Sequence, residues 1–172
     1  MKLAFITGGA RSGKSAFALR EASGLKGKKA YVATAEALDD EMKERIRKHK
    51  AERGKDWDTY EEPLNIADTL QDIQGKYKGI LIDCLTLWLS NTLLASQQPE
   101  ESIDIFIDRL SSLNSADGLH LYIVANEVGM GIVPDNALSR QFRDLAGTLN
   151  QRVAGLADEV NLVIAGIPVR IK

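Results

Sequence analysis

Gly8-Gly9-Ala10-Arg11-Ser12-Gly13-Lys14-Ser15 decides how the rest of the chain is read. It fits G-x-x-x-x-G-K-[ST], and its flanks suit the pattern. Leu3-Ala4-Phe5-Ile6-Thr7 is an apolar run of strand length, and Ala16 to Ala22 reads as the helix that follows. The glycines let the backbone curl until successive N–H groups point into one concavity. The helix adds the positive end of its dipole, so an anion site exists before any side chain contributes. Lys14 is then expected to reach the β- and γ-phosphates of a nucleotide and Ser15 to ligate Mg2+. The competing reading, a glycine-rich turn before an ordinary helix, leaves the strand–loop–helix context unexplained.

Around that loop the chain alternates apolar runs with helical segments. The spacing predicts strands at Lys2 to Thr7, Ala30 to Thr34, Gly79 to Asp83, Leu119 to Asn126 and Glu159 to Ala165. Helices are expected at Gly13 to Gly24, Asp39 to Arg53, from Pro63 through Ile73, Leu85 to Ala95, Ile103 to Leu113, and from Pro134 onward. In the last of these Leu138, Phe142, Leu145, Leu149, Val153 and Leu156 recur on one stripe. Trp57 to Glu61 reads as extended or irregular, Gln97 to Ser102 as a polar surface loop, and Ile167 to Lys172 as a tail. Uninterrupted apolar strands between helices point to an α/β fold with a mainly parallel sheet covered on both faces. With 172 residues and no linker or repeat, residues 1–172 are read as a single domain.

Composition removes several classes. A net charge of −2 gives no general attraction to nucleic acid or to an anionic membrane. One cysteine, Cys84, excludes an internal disulfide and a cysteine-based zinc site. No apolar run approaches the length of a membrane span, and the first strand begins at the N-terminus without a leader pattern, so the expected location is cytoplasmic.

Three side chains could carry chemistry beyond the loop. Asp83 ends an apolar strand, where an acid either faces the phosphate loop and helps hold Mg2+ or caps the next helix. His49 shares a stripe with Met42, Ile46 and Arg53, bordered by Arg45. Arginines there would hold polyphosphate oxygens and favour the neutral imidazole, the form that can attack phosphorus; the bland alternative is a surface histidine in a highly charged helix. His120 alternates with apolar neighbours and reads as structural. Glu127 to Pro134 is a loop too apolar and too glycine-rich for an idle connection. From these residues alone a GTPase, an ATPase motor, a small-molecule kinase and a nucleotide-sensing module stay open, although no N-K-x-D-like base-reading element is present.

Longer motifs narrow the choice. GGARSGKS at Gly8 to Ser15, ATA with DDEM at Ala33 to Met42, and RIxxH at Arg45 to His49 follow one another in order. WxTxE at Trp57 to Glu61, DCLTLWLSN at Asp83 to Asn91, NEVGMGIVP at Asn126 to Pro134 and FRDLAGTLNQR at Phe142 to Arg152 continue the series. In this combination the chain resembles the bifunctional adenosylcobinamide kinase/adenosylcobinamide-phosphate guanylyltransferase family over nearly its whole length. The resemblance implies a RecA-like P-loop NTPase fold, a homotrimer, and GTP and ATP as substrates with Mg2+. It implies phosphorylation of the aminopropanol hydroxyl of adenosylcobinamide, then transfer of GMP through a guanylyl-histidine to give adenosylcobinamide-GDP. The nucleophile falls on His49. Thr34, Ala35, Glu36, Lys50, Ala51, Glu52, Arg53, Glu61 and Asp83 are implied to join the phosphate loop in the nucleotide site.

Overall fold

The computed structural model describes residues 1–36, 40, 44, 47, 54–95, 98–113 and 118–172. Seven strands form one sheet: β1 (Lys2–Gly8), β2 (Lys29–Ala33), β3 (Trp57–Glu61), β4 (Gly79–Asp83), β5 (His120–Asn126), β6 (Glu159–Ile164) and β7 (Ile167–Arg170). Their order is β3-β2-β4-β5-β1-β6-β7, parallel throughout except for the β6–β7 hairpin. Between them lie α1 (Lys14–Ser23), α2 (Ile66–Ile73), α3 (Leu85–Ala95), α4 (Pro99–Ser112) and α5 (Ala137–Leu156). Asp40, Glu44 and Arg47 are helical, and Arg47 grips Glu44 with two donors at 2.8 and 2.6 Å. The rest of the helix expected over Asp39 to Arg53 lies outside the described residues.

Alternation along each strand sends side chains to two cores. Leu3, Phe5, Val32, Ile82 and Ile123 face α2 to α5, which cover one side of the sheet. Ala4, Ile6, Leu81 and Val124 face the other side, where Ala18 of α1 is buried against them. Trp88 anchors the larger core: it is 1% exposed, tilts against Phe106 at 5.2 Å, and donates its indole N–H to the Leu64 carbonyl at 2.7 Å. Truncating such a residue to alanine costs about 3–5 kcal/mol. Among the described residues no helix is long and apolar enough to cross a membrane.

Several boundaries differ from the sequence reading, each for a local reason. The supposed surface loop at Gln97 to Ser102 largely belongs to α4, which begins at Pro99 rather than Ile103. Proline costs no hydrogen bond at a first helical position, and Glu100 and Glu101 favour the positive end of the helix. The helix expected from Pro63 starts at Ile66, because Glu62 first accepts from the Leu64 and Asn65 N–H groups at 2.9 and 2.7 Å. The last helix starts at Ala137, not Pro134, since the Asn136 side chain accepts from the Ser139 N–H at 2.7 Å and caps it. Its stripe is buried only from Leu145 through Val153; Leu138 is 52% exposed. Trp57 to Glu61 is a regular strand paired with β2, and the supposed tail is β7.

Candidate active site

The carboxyl ends of the parallel strands meet at one edge of the sheet, where ligands of open α/β folds bind. β1 opens there into the phosphate loop. A Cβ on Gly8 would run into the Val163 carbonyl oxygen, so only glycine lets the loop leave β1 this close to β6. Gly13, at φ +94°, turns the chain into α1 and accepts the first helical bond from the Phe17 N–H at 2.9 Å. Gly9 O receives the Ser12 N–H at 3.2 Å and the Lys14 ammonium at 2.9 Å, which closes the loop on itself. Lys14 is buried, so its charge is concentrated at the loop rather than dispersed in solvent. The Ser12 hydroxyl is buried with no hydrogen-bond partner among the described residues.

Asp83 stands at the end of β4, separated from β1 by β5. Its Oδ2 accepts from the Tyr31 hydroxyl at 2.9 Å. The following turn is fixed by Thr34, which is fully buried: its hydroxyl donates to the Cys84 carbonyl at 2.7 Å and accepts from the Cys84 N–H at 2.8 Å. Asn91 of α3 in turn donates to the Thr34 carbonyl at 2.9 Å and to the Pro63 carbonyl at 3.2 Å. The Thr34 N–H donates to the Asp83 carbonyl at 3.2 Å. Every polar group of Thr34 is therefore engaged within the protein, and its bonds fix the turn that follows Asp83.

Registers place the other expected residues. Glu61, Ala33 and Asp83 are paired across β3, β2 and β4, which sets the Cα atoms of Glu61 and Asp83 about 10 Å apart on one rim. Ala35 is half-buried and Glu36 exposed just beyond β2. Ala10, Arg11, Ser12 and Ser15 follow from the loop itself, with Arg11 exposed at φ +57°. His49, Lys50, Ala51, Glu52 and Arg53 lie outside the described residues. His120 sits at the opposite end of the sheet, paired with Lys2 and Gly79, far from this rim.

Sequence reasoning missed Tyr31 and gave Thr86 and Asn91 no role. Thr86 accepts the Asn126 N–H at 2.6 Å and the Glu127 N–H reaches the Gly8 carbonyl at 2.9 Å, tying the Glu127–Pro134 loop to the phosphate loop. Tyr31 sits in an apolar strand and carried no signal. Thr86 and Asn91 lie inside the DCLTLWLSN motif, which was the available hint.

The electrostatics of the rim register on Cys84. Burial, then the neighbouring Asp83 carboxylate, push its thiol up to about 11, while hydrogen bonds from the Leu87 and Thr86 backbone, and then the Lys14 charge, pull in the other direction. Cys84 stays a neutral thiol at physiological pH and is inert as a nucleophile.

A divalent cation suits this donor set. One hydroxyl (Ser15), one carboxylate braced through a single oxygen (Asp83) and the phosphate oxygens of a nucleotide match a hard octahedral ion that keeps several waters. Among the described residues no group of three or more His, Cys, Asp or Glu side chains forms a metal cluster.

A glycine-rich loop between the interior strand β1 and α1, with an acid two strands away at the same rim, defines a P-loop nucleotide-binding protein. A KaiC-like protein of Pyrococcus horikoshii has the same fold: TM-score 0.53 at 13% identity, covering 94% of this chain and 70% of that one. The family model for cobinamide kinase / cobinamide phosphate guanyltransferase matches residues 4–171, and the chain belongs to that family. It is 41% identical over 169 residues to the bifunctional adenosylcobalamin biosynthesis protein CobP of Pseudomonas aeruginosa, covering 97% of this chain and 95% of that protein. It is 42% identical over 186 residues to the bifunctional adenosylcobalamin biosynthesis protein CobU of Salmonella typhimurium, with 97% and 98% covered.

Proposed function

We propose that this protein phosphorylates the aminopropanol hydroxyl of adenosylcobinamide with a nucleoside triphosphate and then converts the product to adenosylcobinamide-GDP with GTP. The observation that carries the reading is the family match across residues 4–171 in a chain whose phosphate loop and Asp83 share one rim. In the first step the backbone N–H groups of the loop and the Lys14 ammonium bind the β- and γ-phosphates. They stabilise the charge that moves onto the β–γ bridging oxygen as the acceptor hydroxyl attacks the γ-phosphorus. Ser15 and Asp83 would hold Mg2+, which when bound neutralises phosphate charge and aligns the transferred group.

In the second step a histidine nitrogen attacks the α-phosphorus of GTP. A P–N bond forms, the α–β P–O bond breaks, and pyrophosphate leaves. A phosphate oxygen of adenosylcobinamide phosphate then attacks the same phosphorus, the P–N bond breaks, and the histidine is restored. We assign the nucleophile to His49, one of only two histidines in the chain. The other, His120, pairs with Lys2 at the far end of the sheet, which supports that choice. Thr34, Ala35, Glu36, Lys50, Ala51, Glu52, Arg53, Glu61 and Asp83 complete the proposed nucleotide site, with Thr34 acting through Asp83. A homotrimer in the cytoplasm completes the reading. The test is incubation of the purified protein with adenosylcobinamide, Mg2+, ATP and GTP, with products separated by chromatography and mass spectrometry. Adenosylcobinamide phosphate without GTP and adenosylcobinamide-GDP with it are expected; an unchanged corrinoid under both conditions overturns the proposal.

A further inference from the structure

The phosphate loop is held from outside by the far end of the chain. The β6–β7 hairpin turns at Ala165 and Gly166, with φ +50° and +82°, and the Gly166 N–H donates to the Ser12 carbonyl at 2.8 Å. This approach is backbone to backbone: a Cβ on Gly13 would meet the Gly166 Cα at 3.2 Å. In a trans peptide the C=O and the next N–H point in opposite directions. Anchoring the Ser12 carbonyl on the hairpin therefore turns the Gly13 N–H away from the hairpin and into the loop's concavity. The Gly13 carbonyl is committed to the Phe17 N–H, which likewise directs the Lys14 N–H out of the start of α1. The same logic holds at the other end of the loop, where the Glu127 N–H fixes the Gly8 carbonyl and with it the Gly8–Gly9 peptide.

We propose that Gly166 is a positioning residue of the nucleotide site: its N–H sets the orientation of the Ser12–Gly13 peptide and preorganises the Gly13 N–H for the polyphosphate. The proposal rests on the loop being a triphosphate site and does not depend on which group is transferred. Anion sites gain strength when their donors are aligned before the anion arrives, because the reorganisation is then not charged against binding. The hairpin supplies that alignment through one bond to a residue more than 150 positions earlier in sequence.

The test removes one hydrogen. Glycolate in place of Gly166, installed by nonsense suppression, replaces the N–H by an ester oxygen and leaves the chain otherwise unchanged. The control is the α-hydroxy analogue of Ile167, a residue that pairs with Ile164 inside the hairpin. Binding of tripolyphosphate and of GTP is measured by calorimetry for both proteins and for the unmodified chain, beside denaturant melts. The ester at 166 is expected to weaken both ligands by about threefold to tenfold relative to the control, with the two modified proteins melting alike. Equal affinities in the two esters overturn the proposal, as does loss of the fold by the 166 ester alone, which would assign the bond to stability. Failure of the unmodified chain to bind either ligand would instead sink the triphosphate reading on which the proposal rests.

Discussion

Replacing Thr34 by valine separates a residue that touches nucleotide from one that fixes the Asp83 turn. Valine matches threonine in shape, so packing changes little, but it removes the hydroxyl that both donates to and accepts from the Cys84 backbone at 2.7 and 2.8 Å. Thr34 is fully buried, so water does not replace the lost partner. The Cys84 carbonyl still accepts from the Trp88 N–H at 3.1 Å, so the Cys84 N–H alone is left unpaired, at about 1–3 kcal/mol. Guanidinium melts of wild type, Thr34→Val and Thr34→Ser measure it. Serine keeps the hydroxyl and gives up one methyl, a loss of about 1 kcal/mol. Because Asp83 immediately precedes the disturbed peptide, Thr34→Val should also raise the Mg2+ concentration needed for half-maximal rate, and serine should restore it. A Thr34→Val protein within about 0.5 kcal/mol of wild type would refute the reasoning.

Lys14→Ala should abolish both phosphoryl and guanylyl transfer and weaken triphosphate binding by about tenfold to a hundredfold, the scale of one charge-assisted bond; a variant folded by circular dichroism with wild-type turnover contradicts this. Asp83→Asn should shift the Mg2+ dependence of the rate, whereas a residue that merely caps α3 would lose about 1 kcal/mol of stability with catalysis intact. Cys84 offers a pH test: its thiol titrates near 9.0 when unfolded and about 11 when folded. The folded state therefore favours the protonated thiol, and the stabilisation is complete below pH 9 and lost as pH rises towards 11. Melts of wild type and Cys84→Ala across that window should converge in the alkaline range, and parallel curves would rule the effect out.

What was legible in the sequence was local. The phosphate loop announces itself because its chemistry needs glycines and a lysine at fixed spacing within eight consecutive residues. β1, β2 and β4 could be read because they are buried on both faces and so nearly continuously apolar, and β5 and β6 because their apolar residues still dominate. β7 could not, since Ile167-Pro168-Val169-Arg170 is short, contains proline and earns its strand geometry only by pairing with β6. Pro99 misled for the opposite reason: the same residue breaks a helix interior and begins a helix well. At the rim, the sequence named Thr34 and Asp83 as candidates but not how they are joined, because the bond from Thr34 to Cys84 spans 50 positions. Tyr31 and Gly166 likewise make contacts that no local pattern records.

The proposed guanylyl transfer passes through a covalent guanylyl group on one histidine. Phosphoryl transfer to a hydroxyl needs alignment and charge stabilisation but no protein nucleophile, whereas guanylyl transfer through the protein does. Intact mass measurement after incubation with GTP and Mg2+ reads this directly in wild type and His49→Ala. The expected result is an acid-labile, GMP-sized adduct on wild type and none on His49→Ala, with the variant keeping much of its adenosylcobinamide kinase activity. A GMP adduct on folded His49→Ala would contradict the assignment.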